Sequence, residues 1–305
     1  MNQVNLPNFF IVGAAKAGTS SLWRYVNQHP DIFMPKDFYH KEPSYFVSHY
    51  GMSSFQEYRS LFRGATQDAV GEASTAYLTC EHSAQAIASH VPDAKIIVML
   101  RNPARRAYSL YNWMAQEGYE YALSFDRALR LEEKRWQSST FRRNNPQYFW
   151  NYMYFRSGCY APQVQRYLDV FGKENVRILL FEDFINDAHV YCSEVFSFLG
   201  VDPTFQPNTA VHNPSKYTPF PPLQVFLRRL TSVGVRIRNR LLKQRLTSKE
   251  RRDFMLKLGQ LKRKPPKIEA STYRSLMARY ETDITKLETL IDANPTRWME
   301  SFPRQ

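Results

Sequence analysis

Two short stretches hold side chains suited to gripping anions. In GAAKAGTSSL (13–22) small residues let the backbone come close to a ligand, Lys16 adds a cation, and Thr19 and Ser20 add hydroxyls. Loop amides of Ala15, Lys16, Ala17 and Gly18 ahead of a helix N-terminus favour a phosphate-like group, because the helix dipole places positive charge there. The ATP-type loop needs lysine directly after its second glycine. Here Lys16 precedes Gly18, so that pattern fails, and the spacing suits one phosphate with a terminal group beyond it. The second stretch, RNPARRAYS, offers the Arg101 fork and, eight residues on, the Ser109 hydroxyl. Two anion sites without a metal motif describe a nucleotide phosphorylated at both ends.

These residues need elements to carry them. Phe9–Val12 is an apolar run of strand length, and KIIVML (95–100) is a second run that stops at Arg101. VRILLF (176–181) reads as another buried strand and 69–73 as a brief one. Helical periodicity is expected after Gly18, over 55–62, 82–91 and 103–116, then over 126–136, 160–171 and 191–199. Residues 29–44 read as a loop over the mouth of the first strand. Strands alternating with helices predict an α/β fold with a parallel sheet covered on both faces, and ligands then bind beyond the carboxyl ends of the strands.

The chain has 305 residues, 43% hydrophobic and 23% charged, enough for a full core in one domain. Aromatic residues reach 15%, consistent with a cleft lined by residues such as Tyr45, Phe46, Tyr148, Phe149, Trp150 and Tyr152 as well as with core packing. Cys80, Cys159 and Cys192 have no metal-ligand spacing and are odd in number, so neither a zinc site nor a disulfide framework is expected. The N-terminal residues lack signal-peptide features and no window has the length of a membrane span, which predicts a cytoplasmic protein.

The sequence resembles the sulfotransferases that use 3′-phosphoadenosine 5′-phosphosulfate (PAPS), in their glycan and bacterial branch. GAAKAGTSSL looks like that family's 5′-phosphosulfate loop, and RNPARRAYSLYNWM is similar to its 3′-phosphate motif. Further similarity lies in KEPSYF (41–46), GEAST (71–75), the stretch from Arg156 to Phe184, FLGV (198–201) and a final helix over 280–298. The resemblance implies a P-loop-like three-layer fold and sulfuryl transfer without metal. Lys16 would contact the bridging oxygen, the 15–20 loop would hold the 5′-phosphate, and Arg101 with Ser109 the 3′-phosphate. Glu42 matches the general base of glycan-type members, its carboxyl expected to be raised by partial burial. His40 competes, since the aryl and steroid branch uses a histidine. Lys41 and Tyr77 are candidates for binding the acceptor, a small metabolite or sugar; Arg156 and residues 212–216 are weaker candidates for the cleft or a lid.

The net charge of +13 is local. Lys216 to Lys267 hold sixteen basic and two acidic residues, and the rest of the chain is near neutral at −1. Phe226, Leu230, Val233, Ile237 and Leu241 recur there at helical spacing, a basic amphipathic pattern that suits an insertion or lid. Such a stripe packs on a core with a solvated basic face, or lies on an anionic membrane or acidic partner. The alternatives to sulfuryl transfer are a P-loop kinase, disfavoured by the place of Lys16, and a non-enzymatic polyanion binder using this segment; nucleic acid is not the expected partner.

Overall fold

The computed structural model describes residues 6–35, 41–209, 218–226, 228–229 and 265–300. Most of 216–267, His40 and residues 212–216 therefore lie outside the described residues. The chain divides into two compact units, Met1–Arg106 with Gly158–His212 and Met277–Gln305, and Ala107–Ser157 with Asn213–Leu276.

The first unit is built on a five-stranded, all-parallel sheet in the order β2-β3-β1-β4-β5. The strands are β1 Phe9–Gly13, β2 Ile32–Phe33, β3 Ala69–Glu72, β4 Lys95–Leu100 and β5 Val176–Leu180. β1 and β4 are apolar almost throughout because helices cover both faces, and Phe9 to Val12 and Ile96 to Leu100 have no exposed surface. Helices α1 Thr19–Val26, α2 Phe55–Ser60 and α3 Ser83–Ala88 connect the first strands. After β4 comes α4 Pro103–Gln116, with Pro103 at its first turn and the Asn102 side chain accepting from the Arg105 amide at 3.1 Å.

Later elements are α5 Phe125–Gln137, α6 Ser139–Asn144, α7 Ala161–Phe171, α8 Phe181–Asn186, α9 Ala188–Leu199, α10 Ala270–Glu288 and α11 Arg297–Glu300. Three expectations are corrected. Residues 29–44 contain the edge strand β2, too short to show a pattern of its own. Phe181 does not end β5 but opens α8. The final helix begins at Ala270 and breaks after Glu288, where Asn294 and Pro295 start a separate turn.

Among the described residues of the second unit the ordering feature is a buried ion pair. Arg135 on α5 donates two 2.7 Å hydrogen bonds to Glu120, which also accepts from the Tyr154 hydroxyl at 2.8 Å and the Ala122 amide at 2.9 Å. Arg156 pairs with Glu133 at 2.7 Å and lies over the Trp136 ring, so this weaker cleft candidate is already engaged. Tyr152 and Phe149 are buried in the same unit. Among the described residues no helix is long and apolar enough to cross a membrane.

Candidate active site

The strand order turns outward from β1 in both directions, through β3 to one edge and through β4 to the other. Ligands bind beyond the carboxyl ends of the strands at such a switch point. Residues 14–18 leave β1 there as a tight loop into α1, with Lys16 at φ 69° and Gly18 at φ 93°. A Cβ on Gly18 would stand 2.5 Å from the Phe181 ring, so only glycine fits. Gly18 is also the N-cap of α1, and among the described residues no side chain caps it. The first amides of the helix, Thr19 and Ser20 included, have no intrahelical acceptor and are donors for an anion.

Arg101 emerges from the neighbouring strand. Its Nη1 donates to the Lys16 carbonyl at 3.0 Å, and its guanidinium lies over the Phe181 ring, 4.5 Å from the centroid. The two anion motifs, 85 residues apart in sequence, thus meet at one end of the sheet. Arg101 Nε is buried and has no acceptor among the described residues. The backbone beside it is pinned: Tyr160 Oη donates to the Arg101 carbonyl at 2.9 Å, and the Asn102 amide to Glu182 Oε1 at 3.0 Å. Glu182 Oε2 accepts from Trp298 Nε1 at 3.0 Å. Phe181, Glu182, Tyr160 and Trp298 escape a sequence reading because each acts through a contact remote along the chain. Ser109 lies half-buried on α4.

A third group comes from the 41–46 turn. Lys41 is buried, and its ammonium donates to Ser20 Oγ at 3.2 Å and to Glu42 Oε1 at 2.9 Å, joining the anion loop to the carboxylate. Thr75 Oγ1 donates to Glu42 Oε2 at 2.8 Å, and 41% of the Glu42 side chain remains exposed. Burial pushes the Glu42 carboxyl up, but the Lys41 charge, its hydrogen bond and that of Thr75 outweigh it and hold the group below its ordinary value. That corrects the expectation of a raised carboxyl: the cation next in sequence folds onto it.

Behind this turn lies Glu72, at the end of β3 and wholly buried. It accepts from Tyr58 and Tyr77 hydroxyls at 2.8 Å each and from Ser74 Oγ at 2.6 Å, and burial pushes its carboxyl up to about 7. Tyr77, a candidate for the acceptor, is fully buried with its hydroxyl turned to Glu72.

The family model described as "Sulfotransferase domain" matches residues 6–225. Mouse bifunctional heparan sulfate N-deacetylase/N-sulfotransferase 4 is 28% identical over 214 residues, 68% of this chain and 24% of that protein. Membrane-associated sulfotransferase kil1 of Dictyostelium discoideum is 33% identical over 117 residues, 36% of this chain and 24% of that protein. The chain thus spans about a quarter of the length of the curated relatives it matches. The crystal structure of a sulfotransferase from Alicyclobacillus acidocaldarius superposes with a TM-score of 0.71 at 31% identity, covering 97% of this chain and 100% of that one. With its P-loop-like parallel sheet and this match over most of its length, the chain belongs to the sulfotransferase domain family.

Proposed function

We propose that this sulfotransferase takes the sulfuryl group from PAPS and passes it to a hydroxyl or amine of a carbohydrate or small metabolite, releasing 3′,5′-ADP. The observation that carries this is the 3.0 Å contact from Arg101 to the Lys16 carbonyl, which brings both anion motifs to one end of the sheet. When bound, PAPS supplies an activated sulfuryl group on its 5′-phosphate. The amides of residues 15–20 and the Thr19 and Ser20 hydroxyls hold that phosphate. Arg101, at the end of β4, takes the 3′-phosphate, and Ser109 is its second donor by its place in the motif. The acceptor oxygen or nitrogen bonds to sulfur while the sulfur–oxygen bond to phosphate breaks, its electron pair staying on the phosphate oxygen. Lys16 stabilises the charge that collects there.

Glu42 takes the acceptor proton. Held below its ordinary value, it is fully ionised at neutral pH, and Lys41 and Thr75 fix its orientation while part of it stays exposed to an acceptor. The heparan sulfate N-sulfotransferase relatives favour a sugar amine or hydroxyl as acceptor. The test is transfer of label from [35S]PAPS to an acceptor panel that includes N-desulfated heparan oligosaccharides, without added metal. Lys16→Ala is expected to lower transfer by about 10²- to 10³-fold while the variant still melts cooperatively. Labelled product from Lys16→Ala at the wild-type rate contradicts the assignment.

A further inference from the structure

Glu72 touches none of the groups assigned to the reaction, yet it ends a chain of hydrogen bonds that reaches the turn bearing Glu42. Ser74 Oγ, which donates to Glu72, accepts from the Ser44 amide at 2.9 Å. Tyr77 Oη, also a donor to Glu72, accepts from the Phe46 amide at 3.4 Å. Tyr58, the third donor, stacks on Tyr45 with ring centroids 4.7 Å apart and planes 14° from parallel. The Ala73 amide, next after Glu72, donates to the Lys41 carbonyl at 3.3 Å. Three hydroxyls converging on Glu72 therefore reach Ser44, Tyr45 and Phe46, and the strand end itself holds Lys41.

The turn needs this support. Ser44 has φ 51°, left-handed for a residue with a Cβ, and is 1% exposed. Such a backbone persists only where its surroundings over-determine it. A carboxylate can accept from all three hydroxyls at once, whereas a hydroxyl or a hydrocarbon in its place cannot.

We propose that Glu72 is a positioning residue for sulfuryl transfer, holding the 41–46 turn, and with it the Glu42 carboxylate against Lys41 and Thr75, through Ser74, Tyr77 and Tyr58. This rests on Glu42 as the base. Protonation of Glu72 is tolerated by this geometry: the Tyr58 hydroxyl, which has no other partner among the described contacts, turns to accept, and the links through Ser74 and Tyr77 stay. Glu72→Gln keeps an oxygen for both tyrosines; Glu72→Ala removes every acceptor.

The experiment measures the Glu42 carboxyl by 13C-detected titration, with transfer to an N-desulfated heparan oligosaccharide read in parallel, in wild type, Glu72→Gln, Glu72→Ala and Ser74→Ala. Glu72→Ala and Ser74→Ala are expected to bring the Glu42 midpoint up toward the free carboxyl value of about 4.3 as Lys41 and Thr75 lose register. The rate is expected to fall by at least about tenfold, with affinity for 3′,5′-ADP within about threefold of wild type, and Glu72→Gln is expected to restore most of the rate. On a Glu42→Gln background the Glu72→Ala loss is expected to vanish, because one residue acts through the other. A Glu42 midpoint unchanged in both alanine variants overturns the proposal, as does a Glu72→Ala loss that persists on the Glu42→Gln background. If wild type binds 3′,5′-ADP but leaves the oligosaccharide unlabelled, the acceptor is wrong, and the Glu42 titration still decides the role of Glu72. Should Glu72→Ala fail to fold, Ser74→Ala carries the same two readouts.

Discussion

Two carboxylates stand near each other in this site, one held below its ordinary value and the other pushed above it, and their surroundings account for the difference. Glu42 has a cation beside it in sequence and a threonine hydroxyl opposite; Glu72 has three neutral hydroxyls and no exposed surface. Glu72, raised from 4.5 to about 7 in the folded protein, binds its proton more tightly there than in the unfolded chain. Its contribution to stability is therefore fully present below the unfolded value near 4.5 and is lost as pH rises through about 7. Urea denaturation of wild type against Glu72→Gln is expected to show this as a difference of order 3 kcal/mol growing in between pH 4.5 and pH 7.5. A difference independent of pH would mean that Glu72 does not titrate in that range. Lys16 and Arg101 were legible as candidates because their types and spacing already carry meaning, and Glu42 through the resemblance of its KEPSYF stretch to the family. Glu72 was not, since its role depends on Tyr58 and Tyr77, which only folding brings to it.

At the scale of elements, the strand ends were the readable part. The runs that form β1 and β4 are apolar on both faces, and the residues just beyond their ends, the 14–18 loop and Arg101, are the candidates for anion binding. What escaped is what depends on a neighbour: β2 exists because β3 pairs with it, and Phe181, the first residue of α8, lays its ring against Gly18 and Arg101. Phe181 makes a clear demand on the loop. Gly18→Ala puts a Cβ 2.5 Å from the ring at φ 93°, so the loop must shift or the ring must leave Arg101. The expected cost is about 1–3 kcal/mol of stability, together with a loss of 3′,5′-ADP affinity. Thermal melts with and without nucleotide measure both, and a variant with wild-type affinity would show that the loop does not need its tight turn.

For the molecule as a whole, net charge is unevenly placed. A chain at +13 invites a search for polyanion partners, but the excess lies between Lys216 and Lys267, and the sheet that carries the anion motifs belongs to a nearly neutral remainder. What organises the first unit is the meeting of β1 and β4, with one hydrogen bond from Arg101 to Lys16 tying together motifs far apart in sequence. The central claim is that these motifs grip the two ends of a single bisphosphorylated nucleotide. Calorimetric titration of 3′,5′-ADP and of 5′-AMP into wild type and Arg101→Ala, without divalent metal, addresses it most directly. Wild type is expected to prefer 3′,5′-ADP by at least about tenfold, and Arg101→Ala to lose that preference, its affinity for 3′,5′-ADP falling far more than its affinity for 5′-AMP. An Arg101→Ala protein that still discriminates by the 3′-phosphate, or a wild type that binds ATP with Mg²⁺ more tightly than 3′,5′-ADP, would contradict it.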